Sequence, residues 1–234
     1  MTLPIGSGAM VVGDGRARNA DLGVRTASAV VMLAVAGAAL WLGDPWLDGF
    51  ILLVALACLV ELARLVTIAS RPGVARLVGL LAGAIYVGLA AYALVQMPVG
   101  VLLGVILIVV ATDTGAYFSG RTFGGPKIAP RISPSKTWAG LYGGMLAAGL
   151  VAAGTFIWNA GEAAWSPMLA IAFAIGAMLA VVAQMGDFFE SWLKRRAGVK
   201  DSSRVIPGHG GVFDRVDGLL PVAIVALPLW LMHP

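Results

Sequence analysis

The chain is written mostly in long apolar runs. Seven of them, at about 24–42, 47–68, 74–95, 98–118, 137–158, 167–190 and 213–232, reach the roughly 20 residues that a helix needs to cross a hydrocarbon core of about 30 Å. Short breaks such as Gly43-Asp44-Pro45 and Gln96-Met97-Pro98 read as tight turns between antiparallel neighbours. No internal repeat and no stretch resembling a soluble domain interrupts them. The pattern predicts an all-α polytopic transmembrane bundle of about seven helices. Residues 1–234 read as a single integral membrane domain, with N-terminal helices in 1–100 and the chemistry-bearing helices and loops in 101–234.

Polar positions inside the apolar runs carry more information. In the sixth run Gln184, Asp187, Ser191 and Lys194 recur at intervals of three and four, which places them on one helix face with Glu190 beside them. Past a charged loop, Asp214 and Asp217 stand three apart at the start of the seventh run, with Arg215 between them. The loop's Pro207-Gly208-His209-Gly210-Gly211 cannot be regular helix. Proline lacks a donor, and glycines such as Gly210 and Gly211 permit positive φ and close approach of backbone to a ligand. The fourth run closes with Asp113, Tyr117 and Arg121 at intervals of four, so Asp113 and Tyr117 can face one cavity. An acid in an apolar span is costly and is a functional candidate by default, although Arg121 is a possible structural partner. Before the fifth run, Ser133 or Ser135 can cap a helix whose free amides favour an anion, and Lys136 and Thr137 add a charge and a hydroxyl at the same end. In the second run, Glu61 and Arg64 read as an interfacial ion pair at i, i+3.

Composition and charge narrow the class. The chain has 234 residues, 59% hydrophobic content and a net charge of +4, and a mean hydropathy of +0.91 excludes a water-soluble globule. All 16 Lys and Arg fall in the N-terminal tail, in the connections after the second, fourth and sixth runs, or at their margins. The alternate connections carry Asp44, Asp48 and Glu162 and no base. The positive-inside rule then gives a cytoplasmic N-terminus, basic loops inside and a C-terminus outside. In such a protein a basic excess reflects inner loops and anionic headgroups rather than nucleic acid. The first run lacks a cleavage site and reads as an uncleaved helix. The lone Cys58, inside an apolar run, reads as a small core residue.

Carboxylates at three helix ends, Asp113, Asp187 with Glu190, and Asp214 with Asp217, suit a hard, oxygen-seeking ion such as Mg²⁺. An antiparallel sixth and seventh helix closed by the glycine loop would bring Asp187 and Asp214 to similar depth, making them the principal expected metal ligands; Asp113, Asp201 and Asp217 are lesser candidates. Lys136, Lys194, Arg195, Lys200 and Arg215 are the cations available to phosphates. His209, alone in its glycine loop, reads as a phosphate donor or loop organiser before a general base. An ion-coupled transporter would use the same acids, but would not need both phosphate-like loops.

Two blocks carry a family likeness. The run Ser191-x-Leu193-Lys194-Arg195, four residues, Lys200-Asp201, then Pro207-x-His209-Gly210-Gly211-x-x-Asp214-Arg215-x-Asp217 resembles the signature of the phosphatidate cytidylyltransferase (CDP-diglyceride synthase) family. So do DTGAYFSGR, FGGPK and SPSKTWAG, so that the likeness runs from Asp113 to Asp217. The resemblance implies attack of phosphatidate on the α-phosphorus of CTP, giving CDP-diacylglycerol and pyrophosphate. It points to Asp187 and Asp214 as metal ligands. On this reading Lys194, Lys200, Asp201, His209, Arg215 and Asp217 are catalytic, and Asp113, Tyr117, Arg121, Ser133, Ser135, Lys136, Thr137, Ser191, Arg195, Gly210 and Gly211 bind substrate. The expected cofactor is Mg²⁺, with room for a second cation. The expected partners are CTP, phosphatidate and the bilayer, with homo-oligomers allowed. The expected location is a bacterial inner membrane with the site facing the cytoplasm. A lipid kinase, or a CTP-dependent transferase acting on an isoprenoid phosphate, would share much of this chemistry.

Overall fold

The computed structural model describes residues 14–161 and 166–232, with side chains from residue 22 onward. In chain order the elements are α1 (Asp14–Leu42), α2 (Trp46–Ala69), α3 (Val74–Gln96), α4 (Val99–Phe123), β1 (Lys127–Ala129), β2 (Ser133–Thr137), α5 (Trp138–Ala160), α6 (Pro167–Ala197), α7 (Phe213–Val216) and α8 (Leu219–Leu231). Six of the described helices are long and apolar enough to cross a membrane. The architecture is the all-α polytopic bundle that the apolar pattern predicts. Glu162, expected in the connection between α5 and α6, lies outside the described residues.

The seventh apolar run is not one uninterrupted helix. It divides into α7 and α8, and α8 has 13 residues, a length of about 20 Å at 1.5 Å per residue. The cause is local. Backbone dihedrals stay helical through Asp217 and Gly218, but Pro221 has no N–H to return to the Asp217 carbonyl, so the hydrogen-bond ladder lapses there. Asp214 and Asp217 therefore precede the apolar helix rather than lying inside it.

The other difference is a small hairpin. β1 and β2 pair antiparallel, with Lys127 opposite Thr137 and Ala129 opposite Ser133. Extended backbone up to Thr137 leaves neither Ser133 nor Ser135 free to cap α5. Thr137 does so instead, its side-chain oxygen accepting from Gly140 N at 3.1 Å. That corrects the expected serine cap and shortens the run of free amides at this helix end.

Interior and exterior are sorted by size, as expected where lipid rather than water surrounds the bundle. Ala93, Ala148, Ala152, Ala180, Ala183 and Ala223 are buried in one core with Leu94, Leu179 and Val222, while Leu33, Leu53, Trp158 and Met185 face outward. A second core, made of Cys58, Leu62, Leu65, Val87, Leu193, Phe213 and Leu220, lies beneath the loop between α6 and α7. It joins α2 and α3 to the site end of α6.

Candidate active site

α6 is the spine of the site. Its apolar N-terminal part gives way to Gln184, Asp187, Glu190, Ser191 and Lys194 within the same helix, and the last turn carries Lys194, Arg195 and Arg196, which favour the negative end of the helix dipole. Gly198 stops it at φ 69°, with its N–H and that of Val199 returning to Arg195 O at 3.2 Å and Lys194 O at 3.0 Å. Gly186 lets the returning chain come close: a β-carbon there would collide with the Asp217 carbonyl. The absence of that carbon lets Asp217 sit against α6 beside Asp187.

The resulting grouping differs from the expected pair. Asp187, Glu190 and Asp217 each offer an oxygen, and these three oxygens lie within 4.8 Å of one another. Glu190 is 2% exposed, and its Oε1 is buried without a hydrogen-bond partner. Its other oxygen, Oε2, accepts from Lys194 Nζ at 2.7 Å. A buried carboxylate with one unsatisfied oxygen, grouped with two further acids, is costly unless a cation or a proton joins it. Three oxygen donors without sulfur or imidazole fit a hard divalent ion such as Mg²⁺.

Asp214, expected as the second ligand, is held differently. Its Oδ2 accepts from Ser202 N at 2.9 Å, Ser202 Oγ at 2.8 Å and Gly211 N at 2.7 Å, while Oδ1 accepts from Lys194 Nζ at 2.7 Å. The Lys194 ammonium thus stands between Glu190 and Asp214. Burial opposes the Asp214 charge, but hydrogen bonding with the neighbouring Glu190 carboxyl, and then donation from Lys194, Gly211 and Ser202, outweigh it and hold this carboxyl well below the usual range. Asp217 goes the other way. Burial first, and then the charge of Asp187, push its carboxyl up to about 7.

A cavity of about 420 Å³ opens beside Asp187. It is lined by Asp113, Ala116, Tyr117, Gly120 and Arg121 of α4, Ser135, Lys136 and Thr137 of β2, Gly140 and Leu141 of α5, and Gln184 and Asp187 of α6. Lys136 Nζ lies 2.5 Å from Asp187 Oδ2 and 4.6 Å from the centre of the Phe188 ring. It is buried and makes no directed hydrogen bond, so the pairing is one of charge alone. Arg121 donates to Tyr117 Oη at 3.1 Å, and Ser191 donates to Asp187 Oδ1 at 3.2 Å.

The remaining expected residues stand around this centre. Arg195 Nε reaches Ile132 O at 3.4 Å and ties α6 to the hairpin. Ser133 is buried within β2. His209 Nδ1 is 2.8 Å from Ser28 Oγ of α1, and the Gly210 carbonyl accepts from Ile206 N at 2.9 Å, so both organise the loop. Lys200, Asp201 and Arg215 are exposed and do not line the cavity. The expected Glu61–Arg64 ion pair is replaced by a different arrangement. Glu61 is 4% exposed and accepts from Ser202 Oγ, Ser203 Oγ, Val212 N and Phe213 N at 2.6–3.1 Å. Sequence reasoning missed this role, although Glu61 meets the same test as Asp113, an acid inside an apolar span.

A model of the Cytidylyltransferase family matches residues 74–232. The chain belongs to that family. It is 47% identical over 151 residues to the phosphatidate cytidylyltransferase of Brucella suis, an overlap covering 61% of this chain and 53% of that protein. It is 48% identical over 119 residues to the protein of that name from Haemophilus influenzae, covering 50% and 41%. Against the Pseudomonas aeruginosa protein it is 43% identical over 133 residues, covering 56% and 48%. The chain spans about half the length of the curated relatives it matches.

Proposed function

We propose that this cytidylyltransferase joins CTP to phosphatidate, forming CDP-diacylglycerol and pyrophosphate, at the cytoplasmic face of a bacterial inner membrane. The observation that carries the reading is the juxtaposition of three mutually close carboxylates, one with an orphaned buried oxygen, and a cavity holding a buried lysine. The relatives' names supply the substrates. The basic inner loops support the orientation.

An oxygen of the lipid phosphate forms a new bond to the α-phosphorus of CTP as the α–β phosphoanhydride bond breaks and pyrophosphate departs. The nucleophile is already ionised, so the protein need not remove a proton. Its task is to bring two anions together and to receive the charge of the leaving group. Lys136, whose ammonium lacks a directed hydrogen bond, can turn from Asp187 towards phosphate oxygens in the cavity. Arg121 and Tyr117 stand at the same cavity wall and can fix a second phosphate or the nucleotide. Asp187, Glu190 and Asp217 would hold Mg²⁺, with Asp214 keeping Lys194 beside them. When bound, the ion offsets charge on the phosphates.

The test is product analysis. Purified protein with labelled CTP, Mg²⁺ and phosphatidate is expected to yield a nucleotide-bearing lipid and pyrophosphate. Release of CDP with a newly phosphorylated lipid would replace the reading with a kinase, and no reaction with phosphatidate but turnover of an isoprenoid phosphate would replace the substrate.

A further inference from the structure

The carboxylate that closes the loop between α6 and α7 comes from α2, outside the residues that the family model matches. Glu61 gathers Ser202 Oγ at 2.8 Å, Ser203 Oγ at 2.6 Å, Val212 N at 3.1 Å and Phe213 N at 2.8 Å. One buried anion thus ties the Ser202–Ser203 stretch of the loop to its junction with α7. Ser202 extends the contact further, because its hydroxyl also lies 2.8 Å from Asp214 Oδ2. A hydroxyl has a single proton, so it is shared between the two carboxylates and sets the distance between them. From Asp214 the path continues through Lys194 Nζ, 2.7 Å from Asp214 Oδ1 and 2.7 Å from Glu190 Oε2. It ends at the cluster whose unpartnered atom is Glu190 Oε1.

We propose that Glu61 is a positioning residue for the cation site, acting through the Ser202 hydroxyl, Asp214 and Lys194 on Glu190. The inference rests on the reading of Asp187, Glu190 and Asp217 as a cation site. Asp214 can hold the Lys194 ammonium only while its own plane is fixed; the Ser202 and Gly211 amides hold Oδ2 from the loop, and the Ser202 hydroxyl adds the tie to Glu61 of α2. Were Asp214 free to turn, Lys194 would follow Glu190 alone and its ammonium could swing into the three carboxylates, competing with the ion. Outer groups that orient ligands in this way typically change metal affinity by about 10- to 100-fold when removed.

A role in loop stability alone makes a different forecast, and two neighbouring serines separate the cases. Ser202→Ala removes the shared hydroxyl but leaves Glu61 with Ser203 Oγ, Val212 N and Phe213 N. Ser203→Ala also removes one donor to Glu61 but breaks no link to Asp214. The experiment is Mn²⁺ binding to the full chain in detergent, read by the free-ion paramagnetic resonance signal without CTP, beside melting temperature. Ser202→Ala and Glu61→Gln are expected to weaken Mn²⁺ binding about tenfold or more, with Ser203→Ala lowering the melting temperature but leaving affinity within about twofold. Equal Mn²⁺ affinities for the two serine variants overturn the proposal, whether or not Glu61→Gln folds. If the wild type binds Mn²⁺ but makes no CDP-diacylglycerol, the reaction assigned above fails and the Mn²⁺ comparison still decides this inference. A wild type that binds no Mn²⁺ overturns both the cation site and its proposed positioning residue.

Discussion

Two groups of acids lie at the same end of this bundle, and their surroundings are opposite. Glu61 and Asp214 each have four donor groups within reach, from serine hydroxyls, backbone amides and, for Asp214, an ammonium, with the single Ser202 hydroxyl proton shared between them. Asp187, Glu190 and Asp217 crowd together with fewer donors, and one oxygen has none. A charge satisfied by the chain itself serves to build, since the donors it has recruited come mostly from one loop and its junction with α7. A charge left short of donors is suited to binding, because a proton or an outside cation must complete it. Asp214 and Asp217, three residues apart, fall on either side of this line.

The most disruptive test removes charge from each side in turn. Asp187→Asn or Asp217→Asn is expected to lower turnover by roughly a thousandfold, several kcal/mol of transition-state stabilisation, and to weaken Mg²⁺ binding. Asp214→Asn is expected to lose activity as well, because Lys194 is released, and to cost about 3 kcal/mol of stability as buried donors lose their charged acceptor. Its Mg²⁺ affinity, however, is expected to fall less than that of Asp217→Asn. Titration calorimetry on the three proteins checks the order, and the reverse order would return Asp214 to the ion and make Asp217 the structural acid.

Lys136 sharpens the contrast from the cationic side. Lys194 is pinned by two short hydrogen bonds, whereas Lys136 is held by charge alone over an aromatic ring. Lys136→Met is therefore expected to reduce turnover roughly a hundredfold with little change in melting temperature. Kinetics matching the wild type would assign this lysine to packing against Phe188.

Much of this was legible in the sequence, and what was not has a physical cause. The stripe from Gln184 to Lys194 and the turn from Asp113 to Tyr117 obey helical periodicity, so the residues lining the cavity could be grouped before any fold was known. Their family likeness added the chemistry. Tertiary pairing was harder to read. Glu61 finds its donors 141 or more residues away, and no local spacing encodes that; Arg64, three residues on, offered a nearer but wrong partner. The choice between Asp214 and Asp217 depends on loop amides reaching one carboxylate and not the other. The hairpin was missed because Ser133 to Thr137 carries helix-cap residues that also tolerate extended backbone. Glu190 was seen beside the polar stripe, but its grouping with Asp217 depends on how the returning chain meets α6.

The smallest effect separates the two aspartates most directly. The Asp217 carboxyl is raised from 3.8 to about 7, so the folded state holds that proton more tightly than the unfolded chain. Its contribution to stability is complete below about pH 4 and is lost as pH rises through the folded value of about 7. Asp214 has the opposite sign. Its folded value is lowered, so its contribution is present above the ordinary carboxylate value of 3.8 and is lost only as pH falls beneath it. Between about pH 5 and pH 8 Asp214 is therefore silent, and Asp217 alone of the pair gives a slope. Metal-free protein is expected to melt a few degrees lower at the alkaline end of this window than at the acid end. Asp217→Asn is expected to shrink that difference and Asp214→Asn to preserve it. Mg²⁺ should flatten it too, because the ion takes the place of the proton and is bound with proton release. Melting curves of the three proteins, with Mg²⁺ and with a chelator, read all of this; a slope as steep in Asp217→Asn as in the wild type would place the titrating group elsewhere in the cluster and remove the distinction drawn between the two acids.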